Sequence, residues 1–327
     1  MTNRKAQTIA ILGINGRIGQ EAAKAFVAAN WRVIGMGRGN RAKLDGVEFV
    51  EGDIAFPEQT RRAVSEADVV FNAINLPYDK WDKGRAEAAL ANVLKALKGS
   101  GKTLLFPGNI YNYAAEQHMI TPDTPQHPEK DKGEIRKRME GMLAQASNED
   151  NIQVIILRLA DFFAPDAEGS NFDLMIMSRL KSGILQYPGE LSTGHSWAYL
   201  PDVGRALVKI AEARKSLPQF ENLHYSGHFA SGHQMIGAIQ DVLAKPAKVK
   251  KVPMGLLKII GWFVPIVREV VIMSYLWDEP HQLKDAKLAA LLGEDFDTPF
   301  RDAVHRTALS YLPAEQKAAS KARLSTV

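Results

Sequence analysis

Hydrophobic positions along the chain follow two rhythms. Short stretches are rich in apolar residues without regular alternation: the run that opens Thr8 to Gln20, then Trp31 to Met36, Val47 to Val50, Ala67 to Ile74, Lys102 to Phe106 and Ile152 to Leu159. Strands covered on both faces have this character. Between them, apolar residues recur at helical spacing, as in Ile18, Ala22, Ala25, Phe26 and Ala29, or in Ala86, Ala89, Leu90, Val93, Leu94 and Leu97 within Trp81 to Leu97. Lys130 to Ala146 is expected as a more charged helix, and residues 115–129, with Pro122, Pro125 and Pro128, as loop. This alternation predicts an α/β fold, a doubly wound parallel Rossmann sheet with its ligand beyond the carboxyl ends of the strands.

Past residue 165 the rhythm loosens. Asn171 to Leu180 is expected as a helix, Ile184 to Tyr187 and Ser196 to Leu200 as short strands, Asp202 to Ala213 as a helix capped by Asp202, and Leu223 to Ser226 as one more strand at the sheet edge. Met235 to Leu243, Met254 to Trp277 and Ala286 to Leu292 read as mostly helical. The expected division is a nucleotide-binding Rossmann domain over 1–165, to which 197–230 returns, and a smaller, mostly helical substrate lobe over 166–327. Met254 to Trp277 is more apolar than a surface helix should be, and is expected to cover the substrate site.

Composition narrows the class. With 46% hydrophobic and 24% charged residues among 327, the chain reads as an ordinary globular protein with a sizeable core. The net charge of +4 is spread out, without the basic runs that nucleic-acid binding needs. There is no cysteine, which excludes disulfides, thiolate metal sites and a cysteine nucleophile and fits a reducing cytoplasm. Leu256 to Val267 is too short to span a bilayer, and the apolar run after Arg4 and Lys5 too short for an export signal. The expected partner is a small-molecule substrate, without nucleic acid or membrane, and the expected state a monomer or homodimer. No metal site is expected: His118 and His127 lie in the proline-rich loop without ligand spacing.

The strongest chemical signal is Gly13, Gly16 and Gly19 in a G-x-x-G-x-x-G turn between a strand and a helix, where glycines let backbone NH groups approach a pyrophosphate. Gly13, Asn15, Gly16, Arg17, Ile18 and Gly19 are therefore candidate cofactor contacts. At the end of the second strand, where an acid would bind the ribose of NAD, the chain has Gly37, Arg38, Gly39, Asn40 and Arg41. Arg38 suits a 2′-phosphate, so NADP is preferred, with NAD possible. Asp53 and Ile54 after the third strand, and Ala73 and Asn75 at the end of the fourth, complete the cofactor candidates; for Asp53, adenine binding competes with a turn or cap role.

Taken together and in order, GINGRIG, MGRGN, VEGDI, FNAIN, IYNY, LRLADFFAP and WAYLPDVGRAL resemble the extended short-chain dehydrogenase/reductase superfamily, of the NAD(P)-dependent epimerase/dehydratase type. Ala164 stands where such chains usually carry glycine. The resemblance implies a serine or threonine after the fifth strand and a Tyr-x-x-x-Lys pair for proton exchange. Here Pro107 falls at the serine position, Lys132 at the tyrosine and Arg136 at the lysine, with Glu140 at the acid that follows. The chain thus resembles atypical members.

Two functions remain open. One is an NADP-dependent oxidoreductase or epimerase/dehydratase-like enzyme acting on a carbonyl or alcohol. In that reading Lys132 is the leading acid/base candidate if burial and Arg136 ease its proton off, as a lysine does in isoflavone-type reductases, and Tyr111 is the second candidate. The other is a non-catalytic NADP-binding regulator of NmrA type. Tyr111, Tyr113, His195 and Trp197 favour an enzyme, although His195 and Trp197 are each more often structural.

Overall fold

A computed structural model describes residues 7–166 and 169–324, with side chains described through 320. In chain order it contains β1 (Thr8–Leu12), α1 (Arg17–Ala28), β2 (Arg32–Gly37), β3 (Val47–Glu51), α2 (Pro57–Val64), β4 (Val69–Asn72), α3 (Arg85–Leu97), β5 (Thr103–Gly108), β6 (Met119–Ile120), α4 (Asp131–Glu149), β7 (Gln153–Arg158) and β8 (Asp161–Phe163). There follow β9 (Ile184–Tyr187), β10 (Gly194–Tyr199), α5 (Leu200–Ala213), β11 (Phe220–His224), β12 (His228–Ser231), α6 (Gly232–Val242), β13 (Lys248–Lys251), α7 (Met254–Gly261), α8 (Pro265–Ile272), β14 (Gln282–Leu283), α9 (Ala286–Leu292), α10 (Phe300–Ser310) and α11 (Ala314–Leu324).

Seven strands form one sheet in the order β11-β7-β5-β4-β1-β2-β3. Every pairing in it is parallel. The order reverses beside β1, so β1 and β4 diverge at their carboxyl ends and open the crevice where such sheets take ligands. One face is closed by α1 and α5 over Ile9, Ile11, Phe71 and Leu157, the other by α2, α3 and α4 over Leu12, Val70, Leu104 and Ile156. Burial on both faces explains why these strands are apolar without alternation. The edge strand expected at Leu223 to Ser226 is β11, displaced by three residues toward the N-terminus at its start.

The second half departs more from its sequence pattern. Asn171 to Leu180 is not an α-helix: Phe172–Met177 is one π-helical turn, followed by a 3₁₀ turn at Leu180–Ser182. Asp202 is not the cap of its helix, which starts at Leu200 with Pro201 in its first turn. Its buried carboxylate instead accepts from the backbone NH of Thr298 at 2.7 Å and from the Thr298 hydroxyl at 2.9 Å, tying α5 to the C-terminal segment. Strands β8, β10 and β12 form a small second sheet, and with α6 and α10 enclose a separate apolar core around Phe163, Phe172, Trp197 and Met235. Among the described residues no helix is long and apolar enough to cross a membrane.

Candidate active site

The glycine turn is built by close backbone approach. Gly13 has φ +84°, in the left-handed region that favours glycine. A Cβ on Gly19 would lie 2.6 Å from the Gly13 carbonyl oxygen, so the first turn of α1 can sit against β1 only without a side chain there. Gly16 begins the helix with no side-chain cap, and the first amides of α1 face the crevice at the carboxyl end of β1. Such an end attracts a phosphate through its NH groups and helix dipole, so these residues fit a dinucleotide.

Asn15 does a different job from the rest of the turn. Its Nδ2 donates to Gly39 O at 2.8 Å, while its Oδ1 accepts from the backbone of Arg41 and Ala42, each at 3.0 Å. The asparagine thereby fixes the loop that carries Arg38. The Arg38 side chain is exposed and, among the described residues, in no ion pair, and no acid stands among residues 37–41. Asp53 takes the turn role: its carboxylate accepts from Ala55 NH at 2.9 Å. Ile54 and Asn75 line one narrow pocket with Leu76, Trp81 and Arg136, next to buried Ala73.

The three catalytic candidates converge. Arg136 and Lys132, one helical turn apart on α4, both lie over the Trp81 ring, at 4.8 and 5.4 Å from its centroid. Arg136 is buried and donates weakly to the carbonyl of Pro107 at 3.4 Å. Lys132, only 5% exposed, donates to Tyr78 O at 2.5 Å and pairs with Glu269 Oε2 at 2.9 Å. Its ammonium group is therefore enclosed by a carbonyl, a carboxylate and two ring faces.

Tyr111, three residues past the end of β5, meets the hydroxyl of Tyr78 with its own, and the two rings pack edge to face. Burial raises both phenols above the ordinary tyrosine range, Tyr111 well above it, with Tyr78 and Asp161 adding to the Tyr111 shift. Asp161, on β8, is pushed up from 3.8 to about 6 by burial, although Asn171 Nδ2 donates to it at 2.6 Å. The first turn of α4 stands directly on this group: a Cβ on Gly133 would overlap the Tyr111 carbonyl.

Reasoning from sequence missed Tyr78, Asp161 and Glu269. The available signals were a tyrosine just past the end of β4, an acid inside the LRLADFFAP segment, and a lone acid in an apolar run. His195 and Trp197 are fully buried. The His195 ring lies 4.7 Å from that of His281, both packed among aromatic side chains. His118 pairs with Glu279 at 3.1 Å, and among the described residues no group of three His, Asp or Glu could hold a metal ion.

A glycine turn opening a seven-stranded parallel sheet, with titratable groups gathered at the carboxyl ends of β4, β5 and β7, defines a dinucleotide-fold protein of the extended short-chain dehydrogenase/reductase type. The profile of the NAD dependent epimerase/dehydratase family matches residues 9–225, and the chain belongs to that family. Solved structures share the fold. The enzyme WbmH of Bordetella bronchiseptica, in complex with NAD+, superposes with TM-score 0.69 at 18% identity, over 93% of this chain and 98% of that one. UDP-glucuronic acid 4-epimerase of Bacillus cereus, with UDP-glucuronic acid and NAD, gives 0.74 at 15% identity, over 93% and 99%. A 2-alkyl-3-oxoalkanoate reductase of Shewanella oneidensis is 34% identical over 64 residues, which are 19% of this chain and 16% of that protein's length.

Proposed function

We propose that this protein is an NADP(H)-dependent oxidoreductase acting on a carbonyl or alcohol substrate, with a buried tyrosine pair in place of the family's Tyr-x-x-x-Lys. The observation that carries the proposal is the meeting of the Tyr78 and Tyr111 hydroxyls beside Asp161 at the strand ends. Perturbed titratable groups gathered in a crevice are the usual mark of acid/base work. Gly13, Gly16, Ile18 and Gly19 would hold the pyrophosphate, Ile54, Ala73 and Asn75 the adenosine side, and Arg38 the 2′-phosphate. When bound, the nicotinamide supplies or accepts a hydride. With raised pKa values, the phenols are protonated at neutral pH, and one of them would give its proton to the oxygen of the substrate as the carbonyl is reduced to an alcohol. Asp161, near 6, can replace the lost proton. Arg136 adds positive charge, and Lys132, held by Glu269 and the Tyr78 carbonyl, positions Tyr78. The short match to a 3-oxoalkanoate reductase supports carbonyl reduction over sugar epimerisation.

The test is NADPH oxidation by the purified protein against a panel of ketones and aldehydes, including 2-alkyl-3-oxoacids. Turnover that falls in Tyr111→Phe supports the reading. Tight NADPH binding with no oxidation across the panel would favour the alternative, a non-catalytic NADP-binding regulator.

A further inference from the structure

We infer that the α7–α8 hairpin docks this protein on an anionic lipid surface, with Trp262 and Phe263 entering the interface. The hairpin is apolar on the side away from the protein. Trp262 and Phe263, in the turn between the helices, are 79% and 80% exposed, and Leu256, Ile259, Ile260, Val264, Ile266 and Ile272 are also exposed. A contiguous apolar surface of this kind on a protein in water marks a contact surface. The two helices pack closely at Gly261, where a Cβ would lie 3.0 Å from Arg268 Cα, so the tip is a formed turn that presents both aromatic rings.

Charge identifies the partner. Residues 244–272 carry Lys245, Lys248, Lys250, Lys251, Lys258 and Arg268, all exposed, and Glu269 as their one acid. Glu269 turns inward to Lys132 and lies 3.7 Å from Arg268, and Glu190 offsets Lys251 at 2.5 Å; Lys258 on α7, and Lys245, Lys248 and Lys250 in the segment that leads into the hairpin, are exposed. Aromatic residues flanked by lysine and arginine suit the headgroup boundary of a bilayer, where the rings enter and the cations meet anionic lipid. A second copy docked through the same face would set these cations against one another. The sequence expectation of no membrane partner rested on the lack of a spanning segment, and docking on one leaflet needs none.

The experiment is co-sedimentation of the full-length protein with vesicles of phosphatidylcholine alone and of phosphatidylcholine with phosphatidylglycerol. Binding is expected to the anionic vesicles, weakening as salt is raised. The double variant Trp262→Ser, Phe263→Ser should lose about tenfold or more in partitioning, since two interfacial aromatic anchors are removed. Tryptophan emission should shift to the blue with anionic vesicles in the wild type and not in Trp262→Phe. Retention of NADPH binding by each variant verifies that it is folded. Failure of the wild type to sediment with anionic vesicles overturns the inference. So does a concentration-dependent dimer, seen by analytical ultracentrifugation, that the double variant abolishes without any vesicle binding, because the face then belongs to a second copy.

Discussion

Lys132 and Glu269 form an ion pair at 2.9 Å, their side chains 6% and 17% exposed, joining the first turn of α4 to α8. The contact bridges residues 137 positions apart and brings the hairpin against the crevice. Removing one member of such a pair strands the other in a poor solvent. Glu269→Ala should therefore destabilise the protein by about 3 kcal/mol in urea unfolding. Adding Lys132→Met to Glu269→Ala should cost less than the sum of the single effects. Strict additivity would show that the pair carries no coupling.

Tyr111→Phe removes one hydroxyl of the proposed donor pair and leaves the ring packing in place. We expect kcat to fall by about 10²–10⁴, the usual share of acid/base catalysis, with NADPH affinity unchanged in a fluorescence titration. Lys132→Met should have the smaller effect. A larger loss in Lys132→Met than in Tyr111→Phe would make the lysine the proton donor.

Asp161 gives the rate a pH dependence with a defined sign. Its folded-state pKa is raised to about 6, so the native protein keeps this proton to a higher pH than an ordinary carboxyl would, and the protonated acid dominates only below about pH 6. Carbonyl reduction should slow as pH rises through 6, and Asp161→Asn should abolish that limb of the kcat profile. The same shift bears on stability: the native state holds this proton more tightly than the unfolded chain, and the advantage is lost as pH rises from about 4 through 6. At pH 7 Asp161→Asn should thus stabilise the protein by on the order of 2 kcal/mol, allowing for the solvent that still reaches the group. An unchanged Tm at pH 7 would contradict this.

Three buried histidines work in the opposite direction. Burial lowers His195 to about 4, and His224 and His281 to about 3, helped by Arg158 beside His224 and by His195 beside His281. These groups are neutral in the folded protein and gain protons on unfolding below about 6.5. Their stabilising contribution, complete above that pH, is lost progressively as pH falls toward 3. Tm should drop on acidification from 6.5 to 4, and His281→Gln should flatten the slope.

The proposed preference for NADPH places Arg38, on the loop that Asn15 holds, against the 2′-phosphate. Arg38→Glu should weaken NADPH by about 1.5–3 kcal/mol, the range for a hydrogen bond to a charged group, and spare NADH. Equal affinity of the wild type for NADPH and NADH would remove Arg38 from the site.

The sheet was legible in the sequence because strands buried on both faces leave continuous apolar runs, and the glycine turn because backbone approach tolerates no side chain at Gly19. The site was only half legible. Lys132 and Arg136 share a helix and could be placed through the resemblance to the family's motif. Tyr78, Tyr111, Asp161 and Glu269 come from four separate elements, and no local pattern records their meeting. The π-helical turn at Phe172–Met177 was hidden for a related reason: its apolar pattern is helical, while Phe172, Ile176 and Met177 settle into a core shared with Trp197 and Met235. The hairpin was read as a lid from its apolar content, and α8 does lie against residues 78–80, yet much of that apolar surface faces outward.

Gly133 leaves no side chain between the first turn of α4 and the carbonyl of Tyr111. The gap separating the helix of Lys132 and Arg136 from the strand end of Tyr111 is therefore set by main chain resting on main chain. Exchanging the other side chains on either surface leaves that backbone distance unchanged. The side chains on the two surfaces are interchangeable parts on a fixed mount, and the space between them keeps its dimensions whichever groups it carries.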